Sequence, residues 1–293
     1  MADFLQQVVS GLATGGIYAS LALAIVLIHR ATRVVNFAQG EMAMVTTYVA
    51  WTLIDHGVSY WLSFVLTLAL AFVGGVLVHQ AVMRPFQDAP VVTAVMVTIG
   101  LFILLNGLAA WIWSSEVKAF PSAFSTRPID VGGVVFSLQD LGVIAVSLGV
   151  VAGLFALFRF TKAGLALRAA AFNPATSRLA GVPVGRMLAA GWGLAAVLGA
   201  VSGMMVAPSV FLDPNMMRPV LLYALAAAVL GGLDSPLGAL VAGLLLGVLL
   251  NLLGAYVDFV GTDLRLPVAL AIILAVLLVR PAGLFGSVAA RRV

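Results

Sequence analysis

FTKAGLALRAAAFNPATSRLAGVPVGR, residues 160–186, interrupts a chain that is otherwise a succession of apolar runs. Lys162, Arg168, Arg178 and Arg186 fall inside it and Arg159 just before it, in a sequence that is 63% hydrophobic and only 9% charged. Asn173 followed by Pro174 reads as an N-cap and a first helical residue, where the missing N–H of proline costs no hydrogen bond. Gly181 suits the left-handed position that ends a helix, and Pro183 blocks continuation. The spacing predicts a short helix over about Pro174 to Ala180, tied between two long apolar segments. It is too short and too polar to span a bilayer. On spacing alone, an ordinary arginine-anchored loop explains the island as well as a docking element does.

Outward from the island, a mean hydropathy of +1.16 and repeated apolar runs of about 18 to 23 residues place the chain among polytopic helical membrane proteins. The fold class expected is all-α, a transmembrane helical bundle of about 8–9 spans. No polar stretch is long enough for a separate core, so residues 1–293 read as one membrane domain. The net charge of +4 comes from basic residues at segment ends, which anchor orientation in the bilayer and do not point to nucleic acid. Cysteine is absent, which removes disulfides and thiolate metal sites. MADFLQQVV at the start has neither a basic n-region nor a cleavage site, so the first apolar run reads as a retained span.

Taken in order, the expected spans are Val8 to Ile28, Asn36 to Leu53, Trp61 to Met83, Val91 to Trp113, Gln139 to Phe158, Met187 to Ala207, Val220 to Leu233, Leu237 to Val257 and Leu266 to Val279. Gly11 with Gly15, Gly199 with Gly203, and Gly243 with Gly247 are each four apart, a spacing that lets helices approach closely in lipid. The second span opens with Asn36, Gln39 and Glu41. An intramembrane carboxylate costs roughly 2.5 to 3.5 kcal/mol at mid-bilayer. Arg30 or Arg33 could neutralise Glu41, either as a structural or gating pair or beside a substrate contact. Asn106, deep in the fourth span, is either an interhelical hydrogen bond or a polar pathway residue. Ser114 to Leu138, with Gly132 and Gly133, reads as the largest loop of the opposite face. Val220 to Leu233 is short and ends in Gly231-Gly232, a compressed or broken span of the kind that exposes backbone along transporter pathways.

With the island inside and spans alternating, Arg30, Arg33, Arg84, Arg159, Lys162, Arg168, Arg178, Arg186, Arg280, Arg291 and Arg292 lie inside. Lys118, Arg127, Arg218 and Arg265 lie outside, which gives eleven against four and satisfies the positive-inside rule. That count needs nine crossings and an outside N-terminus; if Val220 to Leu233 does not cross, the count is eight and the N-terminus is inside.

Gly164, Arg168 and Ala169 followed by Leu179-Ala180-Gly181-Val182 resemble the coupling loop of LivH-type permeases, the membrane subunits of branched-chain amino-acid ABC importers. Asn36-Phe37-Ala38-Gln39-Gly40-Glu41 with Met44 and Tyr48, Leu230-Gly231-Gly232 with Ser235 and Gly238-Ala239, and Arg280-Pro281-Ala282-Gly283-Leu284-Phe285-Gly286 are similar to further blocks of that family, in the same order over nearly the whole chain. Gln39 stands where the family usually has His, which argues against proton coupling there, and Thr46 and Thr47 replace smaller residues. The resemblance implies a multi-pass permease subunit of the bacterial inner membrane, working by alternating access. Residues 161–186 would be its coupling loop, with Arg168, Asn173, Pro174, Arg178 and Gly181 meeting the ATPase. Asn36, Gln39, Glu41, Asn106, Gly231, Gly232 and Gly238 are candidates for the pathway or its packing. Implied partners are a second permease subunit, giving a heterodimer, two ATPase subunits, an extracytoplasmic binding protein and membrane lipid.

The residues themselves exclude other chemistry. No P-loop occurs, and the lysines are Lys118 and Lys162, so nucleotide hydrolysis belongs to another chain. His29, His56 and His79 lie in different segments without metal-ligand spacing, and no cofactor or metal is implied. An enzyme is disfavoured. Beside the importer stand a secondary transporter, which would need midplane carboxylates that the sequence lacks, and a scaffolding membrane protein. Urea or short amides, aromatic acids and nucleosides remain alternative cargoes for the same type of subunit.

Overall fold

The computed structural model describes residues 1–87, 89–257, 261 and 264–286. Asp258, Asp263, Arg291 and Arg292 lie outside the described residues. Eleven α-helices are present among those described: α1 (Ala2–Thr32), α2 (Gln39–Asp55), α3 (Tyr60–Val78), α4 (Val91–Trp113), α5 (Leu138–Phe160), α6 (Lys162–Phe172), α7 (Pro174–Leu179), α8 (Val184–Val210), α9 (Met217–Gly231), α10 (Pro236–Tyr256) and α11 (Arg265–Val279). Six are long and apolar enough to cross a membrane: α1, α4, α5, α8, α10, and α3 with its continuation to Phe86. The shorter α2, α9 and α11 pack among them.

Small residues decide the closest packing. Along α1, a Cβ on Gly11 would lie 2.7 Å from Val248 Cα, and one on Gly15 would lie 2.9 Å from Leu244 Cα. From the other side, a Cβ on Gly243 would lie 2.5 Å from Ala19 Cα. As α1 is followed from Gly11 to Ala19 its partners run backwards along α10, so the two helices are antiparallel, backbone against backbone. In lipid no hydrophobic force pulls helices together, and this close dispersion contact replaces it. Gly75 of α3 meets Trp192 O and Gly193 of α8 in the same way, at 2.5 and 2.9 Å.

These two seams are counterparts. The helices form two four-helix units, α1–α4 and α8–α11, joined through α5–α7. α1 packs on α10 as α8 packs on α3; α2 lies beside α8 as α9 lies beside α1; α4 meets α2 as α11 meets α9. Ile17 meets Ser202, while Leu23 and Ile28 share a cluster with Trp192 and Leu198, so α1 and α8 are themselves antiparallel. The fold is an inverted repeat of the kind built into many transporters.

Each unit breaks after its first helix. Arg33 caps α1 in the left-handed conformation at φ 59°, and residues 34–38 run without helix to the start of α2 beside mid-α8. Phe211 likewise ends α8 at φ 62°, and 212–216 lead to α9. Because α8 and α10 are parallel, the connection between them must pass from one end of the bundle to the other. Helix α9 is 15 residues, about 22 Å, and residues 212–216 before it, which end in a turn, complete the crossing. The short seventh segment is thus a broken span. The loop 114–138 carries one element the all-α reading lacked: β1 (Pro128–Val131) pairs antiparallel with β2 (Val134–Ser137) around a tight turn at Gly132-Gly133. A Gly-Gly pair between alternating apolar residues is the hairpin signal that could have found it.

Candidate functional site

At the basic end, α6 and α7 form a rigid bracket. Thr161 caps α6 by accepting from Gly164 N at 2.9 Å. Gly164 itself lies so close to the end of α5 that a Cβ would sit 2.5 Å from Phe158 Cα, so only glycine lets the chain fold back there. Leu167 and Ala170 are buried, and α6 packs on α8. Asn173 Oδ1 then accepts from Thr176 N at 3.0 Å and caps α7, with Pro174 in the first turn. At its other end Gly181 N bonds Arg178 O, and Val182 N bonds Ser177 O at 2.9 Å. That is a Schellman closure, with Gly181 at φ +79°. Helix α7 ends at Leu179 instead of Ala180, one residue earlier than the sequence spacing gives.

What the bracket presents was not legible as function. Phe172 and Leu179 are both 90% exposed, large apolar side chains at the water-facing end of a membrane bundle. Arg178 is exposed between them while Ser177 is buried beneath. Beside α7 a cleft of about 490 Å³ brings Arg178 and Arg186 together with Arg84 and Gln80 from the end of α3. Apolar residues inside an otherwise basic island were the available signal.

The second grouping lies where α2 and α9 begin. Asn36 is fully buried: its Oδ1 accepts from Ala38 N at 3.0 Å, and its Nδ2 donates to Gln39 Oε1 at 3.2 Å. Gln39 Nε2 donates to Ala195 O of α8 at 2.9 Å. These amides replace the helix bonds that the break removes, as backbone at membrane depth requires. Glu41 is 1% exposed. Its partner is neither Arg30 nor Arg33; Arg33 pairs instead with Asp234 at 3.0 Å on the surface. Asn106 Nδ2 donates to Glu41 Oε2 at 3.3 Å and to Pro214 O at 2.7 Å, and Asn106 Oδ1 accepts from Arg218 Nη2 at 3.4 Å. One amide of α4 therefore ties α2 to Pro214 in the break before α9 and to Arg218 in its first turn. Arg218 carries this contact although the sequence analysis counted it only among the outside basic residues.

Gly231, Gly232 and Gly238 are not near that cluster. Gly231 and Gly238 touch each other where α9 turns into α10. Gly232 has φ +99°, and a Cβ on it would lie 2.8 Å from Gly286 N. Leu284 N and Phe285 N bond the carbonyls of Leu230 and Gly231 at 2.8 and 3.2 Å. The closing stretch Arg280 to Gly286 thus caps the end of α9. These glycines pack chain against chain at the basic end.

Two spans broken within an apolar bundle and held by buried amides, on an inverted repeat, define a helical membrane permease. The chain belongs to the family described as branched-chain amino acid transport system / permease component, whose model matches residues 7–279. It is 28% identical to the high-affinity branched-chain amino acid transport system permease protein LivH of Escherichia coli (strain K12), over 97% of this chain and 96% of that one. Identity is 29% to the permease protein BraD of Pseudomonas aeruginosa, with the same coverage. To the probable permease protein LivH of Methanocaldococcus jannaschii it is 31%, over 91% of this chain and 87% of that one. These relatives are transport components and not enzymes.

Proposed function

We propose that the chain is the transmembrane subunit of an ATP-driven importer, placed in the bacterial inner membrane with its basic end in the cytoplasm. Separate ATPase chains grip the α6–α7 bracket. A second permease subunit completes the pathway, and a binding protein delivers substrate to the opposite face. The observation that carries this reading is the bracket itself: a helix capped at both ends, clamped to α5 and α8, that exposes Phe172, Arg178 and Leu179 to water. Its rigidity means that force applied to α7 passes to α8, which packs along α1, α2 and α3. Movement of the α3–α8 group against the α1–α10 group about the two broken spans then alternates access. Branched-chain amino acids are the substrate class favoured by full-length relatives at 28–31% identity.

The test is capture of the ATPase subunit by the purified chain. Burial of a large apolar side chain is worth roughly 1.5 to 3 kcal/mol, so Leu179→Glu should weaken capture about tenfold or more. Phe172→Glu should act in the same direction. Arg127→Glu, at the opposite end, is the control and should leave capture unchanged. Wild-type capture by both bracket variants would refute the assignment.

A further inference from the structure

Helices α1, α5 and α10 leave a groove of about 620 Å³ at the basic end, away from both the bracket cleft and the Asn106 cluster. Its walls are apolar, with Leu23, Leu27, Val151, Phe155 and Leu240 among them, and its mouth carries Arg30, Arg159 and Arg168. All three arginines are exposed. The ion pair found among the described residues, Arg33 with Asp234, involves none of them. Arginine stays charged at any physiological pH, so the mouth is a fixed cluster of three positive charges over an apolar slot.

The dimensions select an occupant. On α5 the lining runs from Leu148 to Arg159, about 16 Å of helix, which matches one leaflet of a hydrocarbon core about 30 Å thick. An apolar slot of leaflet depth, ending in three arginines that form no ion pair among the described residues, complements an amphiphile with an anionic head. We propose that the groove holds an anionic phospholipid of the leaflet at the basic end. Its acyl chain lies along Val151 and Phe155, and Arg30, Arg159 and Arg168 hold its phosphodiester. Since Arg168 belongs to α6, the lipid would fasten the bracket platform to the membrane surface. Membrane insertion of the bundle is the sole premise; the ATPase partner is not needed.

Native mass spectrometry of the full chain, released from micelles containing equal phosphatidylglycerol and phosphatidylcholine, tests this directly. Retention of phosphatidylglycerol should exceed that of phosphatidylcholine. Arg30→Gln/Arg159→Gln should weaken retention roughly fivefold for each arginine removed. Ala152→Trp, which fills the slot without touching a charge, should remove the bound lipid altogether. Glycerol phosphate should not displace the lipid, because it lacks the chain that occupies the slot. Equal retention of the two lipids, or an unchanged preference in the arginine variant, overturns the proposal. So does an Ala152→Trp chain that keeps its lipid but no longer assembles with a second permease chain, which would mean that protein covers the groove.

Discussion

Asn106 is the single side chain whose loss reaches farthest, because one amide serves Glu41, Pro214 and Arg218. Asn106→Ala removes interhelical hydrogen bonds worth on the order of 1 kcal/mol each and leaves the Glu41 carboxylate buried without its donor. An orphaned buried group costs about 1–3 kcal/mol further. Glu41→Gln keeps shape and an acceptor, so Asn106→Ala should lower the thermal midpoint of the detergent-purified chain more than Glu41→Gln does. Equal midpoints for wild type and Asn106→Ala would dismiss the clasp. Gly232, buried, is the other point of failure. At φ +99° under the closing stretch, Gly232→Leu meets backbone strain of about 1–3 kcal/mol and a steric block from Gly286. The variant should insert normally, transport less, and exchange the amide hydrogens of Leu284 and Phe285 faster, because these bond Leu230 O and Gly231 O; unchanged exchange rates would rule this out. The sequence singled out both residues. It could not supply their partners, because Glu41 and Asn106 are far apart along the chain and the nearest cations in sequence, Arg30 and Arg33, point elsewhere.

Among elements, glycine spacing predicts less than it promises. Gly11, Gly15, Gly243 and Gly247 form the α1–α10 seam, whereas Gly149 and Gly153, equally spaced on α5, have nothing within 4 Å of a built Cβ. Gly15→Leu or Gly247→Leu should therefore abolish recovery of folded chain, and Gly153→Leu should leave yield and melting behaviour near wild type. Equal loss of yield at both kinds of position would show that the seam is not where this fold is held. Span existence was legible from hydropathy, and the α7 caps from Asn173, Pro174 and Gly181 taken together, because both depend on local sequence. The break at 34–38 was not, and that at 211–216 was signalled only by the shortness of Val220 to Leu233. Polar residues at Asn36 and Gln39 look like a water-facing helix end, and only the tertiary bond from Gln39 to Ala195 reveals that they lie inside the bundle.

For the whole molecule, the inverted repeat joins these parts. The α1–α10 and α8–α3 seams each tie a helix of one repeat to a helix of the other, α2 and α9 follow the breaks beside α8 and α1, and α5–α7 join the repeats and carry the bracket. Under the proposed function, transport follows nucleotide hydrolysis in a separate chain. Proteoliposomes give the most direct measurement: uptake of labelled leucine by the chain reconstituted with the proposed second permease subunit, ATPase chains and binding protein, beside the chain alone. ATP-dependent uptake is expected in the full complex, its loss with Asn173→Ala/Arg178→Glu, and none from the chain alone. Uptake by the chain alone without ATP, or wild-type uptake and hydrolysis in the double variant, would contradict the proposed function.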